Sequence, residues 1–234
     1  MDTDRFGGRR LKHKIFEILS GNDFNERLPE IGRFPGRQVV NHLFSCLYNL
    51  DELIKWRAVT AMGDVVSSLA DADIESARVV MRRLMWNLND ESGGIGWGSP
   101  EAMGEIIAKN MRLGEEYSRI LISYINKDGN YLENEVLQQG VIWGIGRIAT
   151  VKPHLVKDSF VLLISCIESV DVMLRGLSAW ALGAIDPVKA RCFLAPLKND
   201  DSVVKIYSDG IMNRLMIKNI VNGILNEKMN QEPK

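Results

Sequence analysis

The stretch DVMLRGLSAWALG, residues 171–183, decides the fold, because three further stretches of the chain align with it without gaps. In chain order these copies are DELIKWRAVTAMG at residues 51–63, SGGIGWGSPEAMG at 92–104 and NEVLQQGVIWGIG at 134–146. Every copy opens on Asp, Ser or Asn, has Ile or Leu at its fourth position and ends on Gly at its thirteenth. The final glycines, Gly63, Gly104, Gly146 and Gly183, are 41, 42 and 37 residues apart, which suits one helix pair per repeat.

The positions that recur in all four copies contribute to the fold in different ways. The opening side chain can accept hydrogen bonds from the free amides at a helix start. The eleventh position always carries a tiny residue, which lets two helices approach closely: Ala61, Ala102, Gly144 and Ala181. The fourth and twelfth positions are apolar and are expected to fill the space between layers of helices.

Further apolar-periodic segments lie between the copies, and we expect them to form the second helix of each pair. They cover residues 38–50, 73–88, 115–126, 153–168 and 187–198, with Pro153 and Pro187 fitting a first helical turn. A degenerate fifth copy begins at Asp201, with Val204 at its fourth position. No strand-like alternation of useful length is evident. The pattern predicts an all-α solenoid of about five to six helix pairs over residues 38–226, an N-terminal helical cap over 1–37 and a polar tail over 227–234.

Charge, apolar segments and cysteines indicate which partners and which cellular compartment suit the chain. The 234 residues carry a net charge of -1, so no broad basic field is available to hold nucleic acid, and we expect nucleic acid to be an unlikely partner. The longest apolar stretch, FVLLISCI at residues 160–167, is far shorter than the roughly 20 residues that span a bilayer. The three cysteines, Cys46, Cys166 and Cys192, lie at no metal-ligand spacing, and their odd number suits reduced thiols in a cytoplasm.

The pattern D-x-x-[VIL]-[RK]-x-x-A-x-x-A-[LM]-G resembles the HEAT-like repeats first noted in phycobilisome lyases. The first and fourth copies match it best, through Asp51, Lys55, Ala58, Ala61 and Gly63, and through Asp171, Arg175, Ala181 and Gly183. The third copy departs at Asn134 and Gln138, and the second copy departs most, at Ser92, Gly96 and Pro100. The resemblance implies a right-handed α-α superhelix. The resemblance indicates very little about activity, because the family includes scaffolds, lyase subunits, hydroxylases and a DNA glycosylase branch.

Tryptophans mark one helix face. In HEAT-like repeats of this type the sixth and tenth positions face the concave side, and here they include Trp56, Trp97, Trp143 and Trp180. These positions are four residues apart and share a face, so the pattern predicts a Trp-lined groove suited to a peptide, an aromatic ligand or a cation. Packing of these indoles against adjacent helices is an equally weighted alternative. Trp86, on a second-type helix, is expected in the core.

The second copy breaks the helical pattern. Four glycines fall within residues 93–98, so its helix is expected to begin late, with Ser99 as N-cap, Pro100 in the first turn and Glu101 near the dipole. The resulting loop faces the groove and could bind an anion through its amides, although Asp90, Glu91 and Glu101 would repel one. A flexible inter-repeat loop is the alternative. The residues predicted to contact a partner are Trp56, Arg57, Trp97, Ser99, Glu101, Gln139, Trp143, Arg147 and Trp180.

No catalytic or metal-binding constellation is recognisable. The three histidines, His13, His42 and His154, are scattered, and no Cys-His pairing, Gly-x-Ser-x-Gly elbow or zinc spacing occurs. We therefore expect no cofactor and favour a non-catalytic scaffold that binds a protein or peptide. Two alternatives stay open: a DNA glycosylase-type enzyme using Trp97, Trp143, Trp180 and Glu101, and a pigment- or small-molecule-handling lyase-like module with a closed apolar pocket near Trp97.

Overall fold

The computed structural model describes residues 7–89 and 96–226, which form an all-α protein with one small β-hairpin. The chain divides into two compact units. The first comprises residues 1–116 together with the hairpin tip, residues 207–211, and the second comprises residues 117–206 and 212–234. The all-α prediction is confirmed. The proposed tail, residues 227–234, and the segment 90–95 lie outside the described residues.

The first unit is built from six helices and the start of a seventh. Their bounds are α1 (Gly8–Ser20), α2 (Phe24–Ile31), α3 (Gly36–Leu47), α4 (Glu52–Ala72), α5 (Ile74–Leu88), α6 (Ser99–Lys109) and α7 (Met111–Ser123). Helix α4 contains the first copy and packs against α3, α5 and α6. Its fourth, eleventh and twelfth positions, Ile54, Ala61 and Met62, are all buried, as the repeat pattern predicts.

The second unit is built around the third and fourth copies. Its helices are α8 (Glu135–Ala149), α9 (Phe160–Ile164), α10 (Val172–Ile185), α11 (Pro187–Leu194) and α12 (Ile217–Asn226). Helix α10 packs against α8, α9, α11 and α12. The predicted helix over residues 153–168 is only partly α-helical, because short 3-10 turns flank the five residues of α9.

Side-chain caps start the repeat helices where the sequence places them. Asp51 accepts hydrogen bonds from the amides of Leu53 and Ile54 at the start of α4. Asn134 and Asp171 do the same for α8 and α10. These carboxylate and amide oxygens satisfy main-chain donors that the helix itself leaves free, so the first position of the motif sets the start of α4, α8 and α10.

The fifth copy is not helical, and the expectation of no strands is wrong. Residues from Val203 onward form β1 (Val203–Ser208), which pairs with β2 (Ile211–Met216) in a two-stranded sheet. Between the strands, Asp209 and Gly210 both have positive φ, 53° and 83°, as a two-residue type I′ turn requires. The dipeptide Asp-Gly directly after the β-branched stretch VVKIYS is the sequence signal for this hairpin, and the hairpin forms in place of the weak fifth repeat.

Candidate binding face of the α4 and α6 helices

The four predicted groove tryptophans differ in exposure. Trp97 is 43% exposed and Trp180 is half-buried, but Trp56 and Trp143 are only 8% and 2% exposed. The expectation that all four indoles lie open to solvent is therefore wrong for Trp56 and Trp143. The expectation that Trp86 is a core residue is also wrong, since its side chain is 66% exposed.

Trp56 is covered by the tip of the hairpin. The Tyr207 ring stacks on the indole, with ring centroids 5.1 Å apart and planes 16° from parallel. The Tyr207 hydroxyl lies 3.1 Å from Oγ1 of Thr60, one helical turn along α4 from Trp56. Burial raises the pKa of Tyr207 to about 12, so the hydroxyl stays neutral and can share this hydrogen bond at physiological pH. Tyr207 is a site residue that the sequence reasoning missed.

Two separate groups of ion pairs join α4 and α6 beside this stack. Lys55 donates to Oε1 of Glu101 at 3.1 Å, and its ammonium also lies 4.9 Å from the Trp56 ring centre. One turn further along, Lys109 contacts Glu105 at 3.5 Å and also pairs with Asp64. We name this surface the α4–α6 face and define it by Lys55, Trp56, Thr60, Glu101 and Glu105.

Glu101 has an unusual environment in its ion pair with Lys55. Its side chain belongs to a residue only 4% exposed, and Oε2 is enclosed without a hydrogen-bond partner among the described residues. Helices α4 and α6 pack closely at Gly63, where an added Cβ would lie 2.5 Å from Cγ of Glu105. The glycine at the thirteenth position of the first copy thus makes room for a side chain of the helix that contains the second copy.

The late start of the second-copy helix is confirmed. Helix α6 begins at Ser99, with Pro100 and Glu101 in its first turn. The N-cap is Gly98 rather than Ser99, and Gly98 has φ 75°, while a Cβ added to it would lie only 3.0 Å from Cβ of Leu47 in α3. A side chain would be strained there, so glycine is required. Ser99 itself is fully buried, and the glycine-rich segment before residue 96 lies outside the described residues.

Arg57 stabilises the packing of α1 against α4. Its Nη1 donates to the carbonyl oxygens of Leu19 and Gly21, and its guanidinium lies over the Phe24 ring. These carbonyls are at the carboxyl end of α1, where a positive charge complements the helix dipole. The arginine predicted to contact a partner is thus buried and holds α1 against α4.

The predicted site residues of the second unit make contacts of their own. Gln139 donates to Oδ2 of Asp171 at 2.9 Å, and Arg147 lies 3.4 Å from Oγ1 of Thr150. The Trp180 indole packs onto Gly146 of α8, where a Cβ would overlap its six-membered ring. The polar groups of Gln139 and Arg147 are therefore engaged within the unit, and the half-buried Trp180 of α10 packs against α8 at Gly146.

We expect Gly146→Ala to lower the free energy of unfolding by about 1–3 kcal/mol, because the methyl group overpacks a rigid indole. Equilibrium urea unfolding followed by circular dichroism measures it. Gly223→Ala in α12 is the matched control, since nothing lies within 4 Å of the added methyl. Alanine should raise helix stability there by up to about 1 kcal/mol. Equal effects at both positions would contradict the packing argument.

The described residues contain neither a metal-binding cluster nor a membrane-spanning helix. Across residues 7–89 and 96–226, no three His, Cys, Asp or Glu side chains come together in a way that could hold a metal ion. Within the same ranges no helix is both long and apolar enough to cross a lipid bilayer. The three cysteines are free thiols.

One curated protein matches part of the chain in sequence. No protein-family model matches the chain. An uncharacterized protein of Archaeoglobus fulgidus is 31% identical over 118 residues, which are 50% of this chain and 56% of that protein. The chain thus matches little more than half the length of this curated relative.

Among solved structures, designed armadillo repeat proteins are similar to the chain at low sequence identity. The designed armadillo repeat protein YIII(Dq)4CqI superposes with a TM-score of 0.52 at 14% identity, covering 95% of both chains. A second, YIII(Dq.V1)4CPAF in complex with the peptide (KR)4, has a TM-score of 0.50 at 14% identity and covers 91% of this chain and 97% of its own. The fold is that of armadillo-like repeat solenoids.

Proposed function

We propose that this chain is a non-catalytic repeat scaffold that binds an extended segment of another protein at the α4–α6 face. The observation that most strongly supports the proposal is the packing of Tyr207 on this face. A residue in an extended strand stacks on Trp56 and shares a hydrogen bond with Thr60. A face that accepts an aromatic side chain from an extended strand has the shape and polarity needed for a peptide.

The fold offers a precedent for this mode of binding. One designed armadillo repeat protein with a similar fold is described in complex with the peptide (KR)4. That complex supports the idea that stacked helices of this kind can present a surface to an extended chain, while the residues involved in our proposal come from this chain alone.

Charge pairing favours a peptide over nucleic acid at this face. Lys55 and Lys109 are both paired with carboxylates, so their charges are compensated before any phosphate arrives. A nucleic-acid groove needs lysines and arginines available to phosphates. The DNA glycosylase-type alternative therefore gains no support from the α4–α6 face.

Two finer assignments accompany the proposal. We assign the repeats to the HEAT-like type first noted in phycobilisome lyases, because Asp51, Asn134 and Asp171 cap their helices as that motif requires. We also propose a cytoplasmic location, which the three unpaired thiols support.

The proposal is tested with a Tyr207→Ser variant and a labelled synthetic peptide of residues 201–213, which contains the Tyr of β1. In the wild-type chain Tyr207 competes as a tethered ligand at millimolar or higher effective concentration. The variant should therefore bind the peptide at least about tenfold more tightly than the wild type does, as measured by fluorescence anisotropy. Adding Trp56→Ala to the variant should weaken binding by about 2 kcal/mol or more.

Adding Trp86→Ala to the same variant is the control, because this exposed indole lies on α5 and should leave the affinity unchanged. Circular dichroism establishes that each variant is folded. A peptide that binds neither variant, or that binds regardless of Trp56, would refute the proposed function.

A further inference from the structure

A cavity lies between α3 and α5 of the first unit, and one residue of α4 contributes to its wall. Its volume is about 410 Å³, which is within the range typical of small-molecule sites. We name it the α3–α5 cavity and define it by its apolar lining, which consists of Val40, Phe44, Leu69, Val79 and Val80. Such a lining suits the hydrocarbon part of a ligand, because contact with it removes apolar surface from water.

Most charged groups that line the α3–α5 cavity are already paired within the protein. Nη2 of Arg37 donates to Oδ2 of Asp73 at 2.8 Å, and Nε of the same arginine donates to Oγ of Ser76 at 2.9 Å. The lining carboxylate of Glu75 belongs to a group of ion pairs in which two arginines balance two glutamates: Glu75, Glu116, Arg78 and Arg112. Neither group of ion pairs therefore offers a ligand a net charge.

Arg83 also lines the cavity, and among the described residues no carboxylate pairs with it. Its guanidinium carbon lies 3.8 Å from the centre of the Phe44 ring, and its Nη1 donates to Oδ1 of Asn41 at 2.8 Å. The Asn41 amide is itself held by donation from Nδ2 to the carbonyl oxygen of Arg37, one helical turn earlier. Stacking covers the face of a guanidinium and leaves donors along its edge, which can bind a carboxylate through two parallel hydrogen bonds. Arg83 is thus oriented in advance for an anionic group.

We propose that the α3–α5 cavity binds a small organic acid, whose apolar body packs against the lining and whose carboxylate accepts hydrogen bonds from Arg83. A carboxylate is favoured over a neutral polar group, because an ionised acceptor makes the stronger hydrogen bond to a guanidinium. Val79, which is exposed, lies one helical turn before Arg83 on α5, so an apolar contact adjoins the cation. The inference does not rest on the proposed function, since no residue of the α4–α6 face lines this cavity.

The test compares octanoate, octanol and octylamine, which share one hydrocarbon chain and differ in the charge of the head group. Titrations of the isotope-labelled wild-type chain, followed by NMR at physiological ionic strength, measure the three affinities and show which amides respond. Octanoate should bind about tenfold or more tightly than octanol, which is the effect expected of one charge-assisted hydrogen bond, and octylamine should bind more weakly than both. The responding amides should include those of Val40, Val79 and Val80. Equal binding of the three ligands, no binding of octanoate at millimolar concentration, or a response confined to other amides overturns the inference.

Arg83→Gln then identifies the cation that receives the carboxylate. In this variant octanoate and octanol should bind with equal affinity. Arg82→Gln is the matched control, because it removes the same charge from the neighbouring exposed position on α5, which does not line the cavity, and it should keep the preference for octanoate. A preference that survives Arg83→Gln, or one that Arg82→Gln abolishes as well, overturns the inference.

Val79→Asn tests the apolar part of the site separately. Because both ligands share the hydrocarbon chain, this variant should weaken octanoate and octanol alike, by about threefold or more, and leave their ratio unchanged. Circular dichroism establishes that each variant is folded. Unchanged affinity of both ligands for Val79→Asn would show that the hydrocarbon chain does not lie in the cavity and would overturn the inference.

Discussion

Replacing Trp143 by Ala should lower the free energy of unfolding by about 3–5 kcal/mol, the range typical of large aromatic truncations in a core. The indole is 2% exposed, so its removal leaves a cavity that the neighbouring helices can fill only in part. From the repeat position alone, this substitution should weaken partner binding and leave the helices intact. The burial of Trp143 predicts the opposite: the protein loses stability before it loses a ligand.

Trp86→Ala is the matched control for this experiment, because the same side chain is removed from a position 66% exposed to solvent. It should change the stability by no more than about 0.5 kcal/mol. Urea titration followed by circular dichroism measures both variants. If Trp143→Ala were as mild as Trp86→Ala, the burial of Trp143 would be disproved.

Lys55→Met should destabilise the protein by about 3 kcal/mol, because it leaves the Glu101 carboxylate buried without either of its oxygens satisfied. The lysine side chain is 20% exposed and that of Glu101 only 6%, so water compensates the lost ion pair poorly. The measurement is again the free energy of unfolding from urea titration.

The double variant Lys55→Met, Glu101→Gln should recover most of this loss, since it removes the uncompensated charge together with its partner. Lys14→Met is the control, because the side chains of Lys14, Glu17 and Glu30 are 34–46% exposed, so their ion pairs are reached by water and should contribute less than about 1 kcal/mol. Additive effects of Lys55→Met and Glu101→Gln would show that the two side chains are not coupled.

Local features of the chain were predictable because they depend on neighbours in sequence. Asp51, Asn134 and Asp171 cap helices since their oxygens reach amides two and three residues ahead. The glycine-rich start of the second copy delays α6 to Ser99 because glycine destabilises a helical turn. The hairpin was equally readable from Asp209 and Gly210, but the weak fifth repeat concealed it.

The candidate site depended on contacts between residues far apart in the chain. Periodicity places Trp56 and Trp143 on one face of their helices, but it does not say what covers that face. Tyr207, 151 residues from Trp56, covers the first indole. Gly146 illustrates the same limit, since its missing side chain is what lets Trp180 lie against α8.

By itself, the sequence determined the all-α repeat, the starts of α4, α8 and α10, and the apolar positions of the motif that lie in the core between layers. These follow from helix capping and from the size of side chains at regular spacing, which are short-range effects. Only the tertiary structure decided which indoles are open to a partner and that a carboxylate of α6 is buried with one oxygen unsatisfied. Exposure and charge pairing are properties of surfaces brought together by folding, and no single repeat contains them.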